Sequence, residues 1–214
     1  MNENTLRQSR EDLYRLLGRL YLLEVDEKLL NALWGMEFPK ECPLEDMKEG
    51  YDLMDAFLQH AKERINGGEK EQEQREILDG LAVDYARIFL SAGVAQGKAA
   101  FPFESVYTSR QHLMMQESRT DVIAKYAAKG VSPSKDMYRV PEDHLGLLLS
   151  YMAILCEEDA PVTEQREFLQ EHLLNWVAAF TADVAKYAST DFYKGLGKLT
   201  KGFLTMERSL LDDR

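Results

Sequence analysis

Few side chains in this sequence have both the type and the neighbours that chemistry requires. Its four histidines are His60, His112, His144 and His172. Zinc or di-iron ligation on one helical face needs a second ligand three or four positions away. Upstream of each histidine at those offsets stand Phe57 and Ala56, Ser109 and Thr108, Pro141 and Val140, and Leu169 and Phe168. None of these supports a metal site. Gly195-Leu-Gly-Lys-Leu-Thr resembles a phosphate loop only superficially. Gly197-Lys198 is followed by Leu199, and Phe192 stands where the first glycine should be. Ser105 lacks the flanking glycines of a nucleophile elbow. Cys42 and Cys156 lie far apart and outside any CxxC pattern, which suits small buried side chains in a reducing compartment. A catalytic site, a cofactor and a metal are therefore not expected.

Two segments remain. In AFPFESVYTS, Phe101, Pro102, Phe103 and Tyr107 surround Glu104 without a helical stripe to bury them. They form either a rigid turn tucked under a core or an apolar anchor on a surface. In YRVPEDHLGLLLSYM, Pro141 suits the first position of a helix, which puts Glu142, Asp143 and His144 in its first turn. Carboxylates there complement the helix dipole, whereas an imidazolium does not. The plain reading is helix electrostatics with a hydrogen-bonded histidine. The sharper one is a carboxylate and a histidine clamping an arginine and the backbone of an incoming peptide.

The elements that must position these residues read as helices throughout. Leu13, Leu16, Leu17, Leu20 and Tyr21 form one stripe, with Ser9 and Asp12 as start signals. Asp26 caps a short helix carrying Leu29, Leu30, Leu33 and Trp34, which Pro39 stops. Met47, Tyr51, Met54, Leu58, Ala61 and Ile65 follow at spacings of four and three until Gly67-Gly68. After the polar run 69–76 come Ile77, Leu81, Tyr85, Ile88 and Phe89. Residues 91–104, with Gly93, Gly97 and Pro102, form a long aperiodic loop of the kind that is functional or disordered. A helix from Ser118 to Lys129 ends at Gly130. Others run from Pro141 to Glu158, from Pro161 to about Val184, and from Asp191 past Met206. No alternating strand pattern occurs. The expectation is an all-α protein: a single globular helical bundle of seven to nine helices, one domain over 1–214.

The 214 residues carry 26 Lys+Arg against 37 Asp+Glu, a net charge of −11. That repels nucleic acid and attracts cationic peptides. The N-terminal segment is broken by Arg7, Arg10, Arg15 and Arg19, so neither a secretory signal nor stable membrane insertion is expected, and the protein reads as cytoplasmic.

The order LAVDYARIFL, FPFESVYTS, YRVPEDHLGLLLSYMA, QREFLQEHLLNW resembles the TorD/DmsD family of redox-enzyme maturation proteins, over about Leu13 to Phe203. The resemblance implies a cytoplasmic chaperone, not an enzyme. Its partners would be the twin-arginine leader and the apo catalytic subunit of a molybdenum-cofactor oxidoreductase, which it assists in cofactor insertion and export proofreading. The family's leader-binding positions map onto Tyr85, Ile88, Phe89, Pro102, Phe103, Asp143 and His144. Some relatives carry tryptophan at the places of Tyr85 and Phe103, which implies a groove shaped for a different leader. Met114-Met115 would add an adaptable apolar lining. Three other possibilities stay open: a nucleotide-binding helical switch or small enzyme using the Asp143–His144 pair, a purely structural helical subunit, and a homodimer swapped through a hinge at 130–140.

Overall fold

The computed structural model describes residues 2–36, 38, 42, 44–92, 99–134 and 140–213. Pro39 as a helix stop, and Gly93 and Gly97 in the loop, lie outside them, as do residues 135–139 of the expected hinge. Ten α-helices and one π-helical turn make up the regular structure, with no named strand among the described residues. The all-α expectation holds, with the count raised by short helices. The chain divides into two compact units, each built from separated stretches.

The first unit takes residues 1–23, 102–179 and 204–214. It contains α1 (Glu3–Leu22), α5 (Glu104–Thr108), α6 (Glu117–Ala128), α7 (Leu145–Glu157), α8 (Val162–Leu169) and the π-helical turn Gln170–Leu174. Asn2, whose side chain accepts the Thr5 N–H at 2.7 Å, caps α1. The helix thus starts well before Ser9. Of its expected stripe Leu17, Leu20 and Tyr21 are buried, joined by Tyr14, while Leu13 and Leu16 are half-buried. The crossing of α1 with α7 is made by glycines. A Cβ built on Gly146 would stand 2.7 Å from the Gly18 carbonyl oxygen and 2.5 Å from Leu22 Cγ. Only a residue without a side chain lets the two backbones come this close. Arg10 crosses the interior to Glu207, with Nε to Oε1 at 2.8 Å and Nη2 to Oε2 at 2.8 Å, both residues being buried. Arg10 Nη2 also donates to Gln165 Oε1, so one guanidinium ties α1, α8 and the end of the last helix.

The second unit takes residues 24–101 and 180–203. It contains α2 (Glu27–Trp34), α3 (Glu45–Gly67) and α4 (Lys70–Phe89). The helices α9 (Val177–Tyr187) and α10 (Asp191–Asp212) contribute residues to both units. Asp26 caps α2 by accepting the Leu29 N–H. The α3 stripe is buried as its spacing requires, except that Tyr51 is half-exposed. The polar run 69–76 belongs to α4 itself, which begins at Lys70. Asp84 is buried and accepts the Ser189 and Thr190 N–H groups and both hydroxyls at the start of α10. Burial pushes the Asp84 carboxyl up, but the hydrogen bonds from Thr190 and Ser189 outweigh it and hold the pKa below its usual value.

Two boundaries differ from the sequence expectation. The helix expected from Pro141 begins at Leu145, because residues 141–143 form a turn closed by His144 N–H to Pro141 O at 3.1 Å. The helix expected from Pro161 to Val184 is interrupted at Gln170–Leu174, where the backbone adds a π turn before α9. No helix among the described residues is long and apolar enough to cross a membrane.

Candidate functional site: a clamp and a polar cleft

The aromatic segment and the Pro-x-Asp-His segment, separated by about forty residues of chain, meet in the first unit. Leu145 N–H donates to Pro102 O at 2.8 Å and Glu104 N–H to Asp143 O at 3.1 Å, an isolated bridge centred on Phe103 and His144. The rings of Phe103 and His144 meet edge-on at 5.0 Å. The short helix α5 has no side-chain cap of its own. Asp143 supplies one, its Oδ2 accepting the Ser105 N–H at 3.0 Å and the Ser105 hydroxyl. Asp143 Oδ1 has no partner among the described residues. Pro102, Phe103, Asp143 and His144 thus form one buried clamp.

Tyr85, Ile88 and Phe89 belong to the second unit, in its aromatic core. Phe89 packs on Tyr85, Phe180 and Tyr193 with ring centroids 5.1–6.2 Å apart. All seven anticipated residues are buried, with Phe103 the most accessible at 9%.

His144 is the N-cap of α7, and its Nδ1 accepts the Gly146 N–H at 3.1 Å. That role needs a lone pair, so the ring is neutral with its proton on Nε2. Burial holds the His144 pKa down at about 3, well below the usual 6.5. The unfolded chain takes up a proton below about pH 6.5 that the folded chain refuses, so stability falls as pH drops from there towards 3. Between pH 6.5 and 5 the expected loss from this group is about 2 kcal/mol, at ~1.4 kcal/mol per unit. His144→Asn keeps an acceptor for Gly146 and removes the titration. Urea titrations across that range should show a shallower pH slope in the variant, and an unchanged slope would refute the assignment.

Beside the clamp opens a cleft of about 960 Å³. Its lining comes from α5, the segment Ser109–Gln116, α6, the π-helical turn and Asn175. Four carboxylates face it: Glu104, Glu117, Asp121 and Glu171. Two cations do, Arg110 and Lys125, and Lys125 is already paired with Glu171 at 2.8 Å. Glu104 is buried against His172, with Nδ1 3.1 Å from Oε2. Burial pushes the Glu104 carboxyl above its ordinary pKa, although the hydrogen bond and charge of His172 oppose it. Within Ser109–Gln116, Leu113, Met114 and Met115 are exposed, and His112 and Met115 adopt positive φ. Left-handed backbone at two non-glycine residues is a strained arrangement of the sort found at binding loops.

Sequence reasoning passed over this cleft. In the sequence His172 lies within the helix expected from Pro161 to about Val184, and Glu104 stands among aromatics. The available signal was that each is an ionisable side chain in an apolar register, which demands a buried partner. Cys156 does behave as read: it is buried, and its thiol is pushed up to about 12, mainly by burial. Among the described residues no cluster of three or more metal-ligating side chains occurs.

The nitrate reductase delta subunit family matches residues 44–182, and the chain belongs to that family. The chain is also similar to proteins named chaperone protein TorD. The protein from Shewanella piezotolerans is 27% identical, with 95% of this chain and 93% of the relative covered. The one from Shewanella pealeana is 26% identical over 98% and 92%. A third, from Actinobacillus pleuropneumoniae, is 26% identical over 91% and 92%.

Proposed function

We propose that this protein is a cytoplasmic chaperone of molybdoenzyme maturation, which binds the twin-arginine leader and the apo form of a catalytic subunit and holds them until cofactor insertion is complete. The whole chain, 1–214, acts as the chaperone domain. Full-length likeness to TorD chaperones supports the class of activity. The observation that carries leader binding is the segment Ser109–Gln116. One stretch of backbone both walls a carboxylate-rich cleft and exposes Leu113, Met114 and Met115. A leader with paired cations followed by an apolar stretch has matching chemistry, and thioethers repack around varied sequences. In this reading Pro102, Phe103, Asp143 and His144 shape the site from behind, by holding α5 and the segment after it. Tyr85, Ile88 and Phe89 act through the core of the second unit.

A micromolar complex needs only about −8 kcal/mol, within reach of one desolvated arginine–carboxylate pair and two apolar anchors after ordering costs. Calorimetry with a synthetic leader peptide tests the reading. Met114→Ser combined with Met115→Ser should weaken leader binding about tenfold or more, since both thioethers would pack on the bound leader and full burial of such a side chain is worth ~1.5–3 kcal/mol, while leaving the unfolding curve unchanged. Micromolar nucleotide binding with no leader binding would favour a nucleotide switch instead.

A further inference from the structure

On the outer face of α4, Glu76, Gly80, Val83, Arg87 and Leu90 follow one another at spacings of four and three. That is the spacing of a seam along which one helix packs on another. Val83 is 68% exposed and Leu90 60%, whereas Ile77, Leu81, Ile88 and Phe89 on the inner face are buried. Leu90 caps α4 with helical backbone, so it keeps the phase of the seam. Gly80 has no reason within its own chain to be glycine. A Cβ there would meet nothing within 4 Å, and glycine is among the poorest helix formers. It lines a largely apolar hole of about 120 Å³ between α3 and α4, together with Phe57, Ala61, Ile77 and Leu81. That is close to the ~150 Å³ of an apolar cavity that accepts a benzene ring, so the hole suits one aliphatic side chain.

The exposed leucine and the hole stand at equal distances from Val83. Leu90 comes seven residues after it, and Glu76, with Ile77 beside it, seven before, each about 10 Å along the helix. An antiparallel copy of α4, related by a two-fold axis at Val83, therefore brings each Leu90 level with the hole of the other copy. Arg87, four residues after Val83, then comes over Gly80 of the other copy, where no side chain stands, and level with Asp79, four residues before. Asp79 is exposed, and the hydrogen bonds of Arg87 to Asp84, Tyr187 and Ser189 all run through Nη2. Opposite charges thus meet across the axis. One surface carries a knob, a hole and charges of both signs, each placed to meet its complement in a second copy, as a two-fold interface requires.

We propose that the outer face of α4 is a homodimer contact, in which α4 pairs antiparallel with α4 of a second copy and Leu90 of each seats in the α3–α4 hole of the other. The contact is small, and a net charge of −11 on each copy opposes it at low salt. The expected dissociation constant is therefore about 10–100 μM, as for weak transient interfaces. The assignment does not depend on leader binding.

The test is sedimentation velocity on the full chain, from below that range to well above it, at physiological salt. Wild type should pass from monomer to dimer. Leu90→Glu puts a carboxylate at the knob, and Gly80→Leu obstructs the hole and the place of Arg87. Each should weaken the dimer about tenfold or more while folding at least as stably as wild type, because both positions are exposed. A second measurement fixes the register. Helices packed 8–10 Å apart bring facing Cα atoms within disulfide reach. In a Cys42→Ser background, Val83→Cys should therefore cross-link two copies on mild oxidation, and Lys62→Cys, exposed on α3, should not. A wild type that stays monomeric throughout overturns the contact. So does a dimer that both variants leave intact, or cross-linking no faster at Val83→Cys than at Lys62→Cys. A monomeric wild type whose Leu90→Glu variant loses an apo catalytic subunit gives the face to a client, and overturns the proposal as well.

Discussion

Glu207→Ala is expected to destabilise the protein by about 3–5 kcal/mol, the usual cost of leaving one partner of a buried ion pair without the other. Arg10 and Glu207 are both buried, the guanidinium bonds the carboxylate through two nitrogens, and Gln165 takes a further N–H. Removing the carboxylate strands a permanent cation, because arginine cannot shed its proton. Tyr14, buried alongside, has its phenol pushed up, first by burial and then by the Glu207 charge, so it offers no replacement anion near neutral pH. The expected measurement is a urea midpoint displaced downwards with an unchanged slope, and at 2–4 °C per kcal/mol a Tm lower by roughly 6–20 °C. Arg10→Met combined with Glu207→Leu removes both charges at similar volume and should recover most of the loss. If the double variant is no more stable than Glu207→Ala, the stranded charge is not the cause.

Gly146→Leu should be comparably severe for a reason unrelated to charge. Even the first atom of the new side chain would lie 2.5 Å from Leu22 Cγ and 2.7 Å from the Gly18 carbonyl. A methyl-sized intrusion can displace the Leu22 side chain but not a backbone oxygen, so α1 and α7 must separate along their crossing. Overpacking typically costs about 1–3 kcal/mol, and a four-carbon side chain against backbone belongs at or above the top of that range. Gly146→Ala should lose less, about 1–3 kcal/mol, because helix propensity returns up to ~1 kcal/mol. Thermal unfolding of the two variants against wild type checks the ordering. Equal stability of Gly146→Leu and wild type would mean that the crossing is looser than these distances require.

Much of the fold was legible in the sequence because its causes are local. The α3 stripe from Met47 to Ile65 repeats at helical spacing, Asp26 sits where an N-cap belongs, and Gly130 adopts φ of +70° just past α6. The polar run 69–76 misled because a solvent-facing first turn of α4 carries no apolar marker. Pro141 was the more instructive case. It suits a helix start, yet the helix waits until Leu145, because the backbone around Asp143 and Leu145 pairs with Pro102 and Glu104 far earlier in the chain. No local pattern announces such pairing. The same holds for Asp143, whose sequence position suggested helix electrostatics or an arginine clamp. Its carboxylate Oδ2 accepts hydrogen bonds from Ser105 at the start of α5, a contact no local pattern signals. The cleft escaped notice because Glu117 and Asp121 look like ordinary charges at a helix start. Only the cleft that they line together with Glu104 and His172, from other parts of the chain, brings them to one place.

The π-helical turn Gln170–Leu174 has an angular meaning. Each residue of an α-helix advances the face by about 100°, so an inserted residue in a π turn re-aims the side chains beyond it without altering their chemistry. Trp176 stacks on Tyr107 at 5.4 Å while His172, inside the turn, reaches Glu104. The two contacts grip neighbouring parts of α5 from within the irregular step and from just beyond it. The phase of the chain at Gln170–Leu174, rather than any one side chain, is therefore what brings an imidazole and an indole to bear on the same short helix.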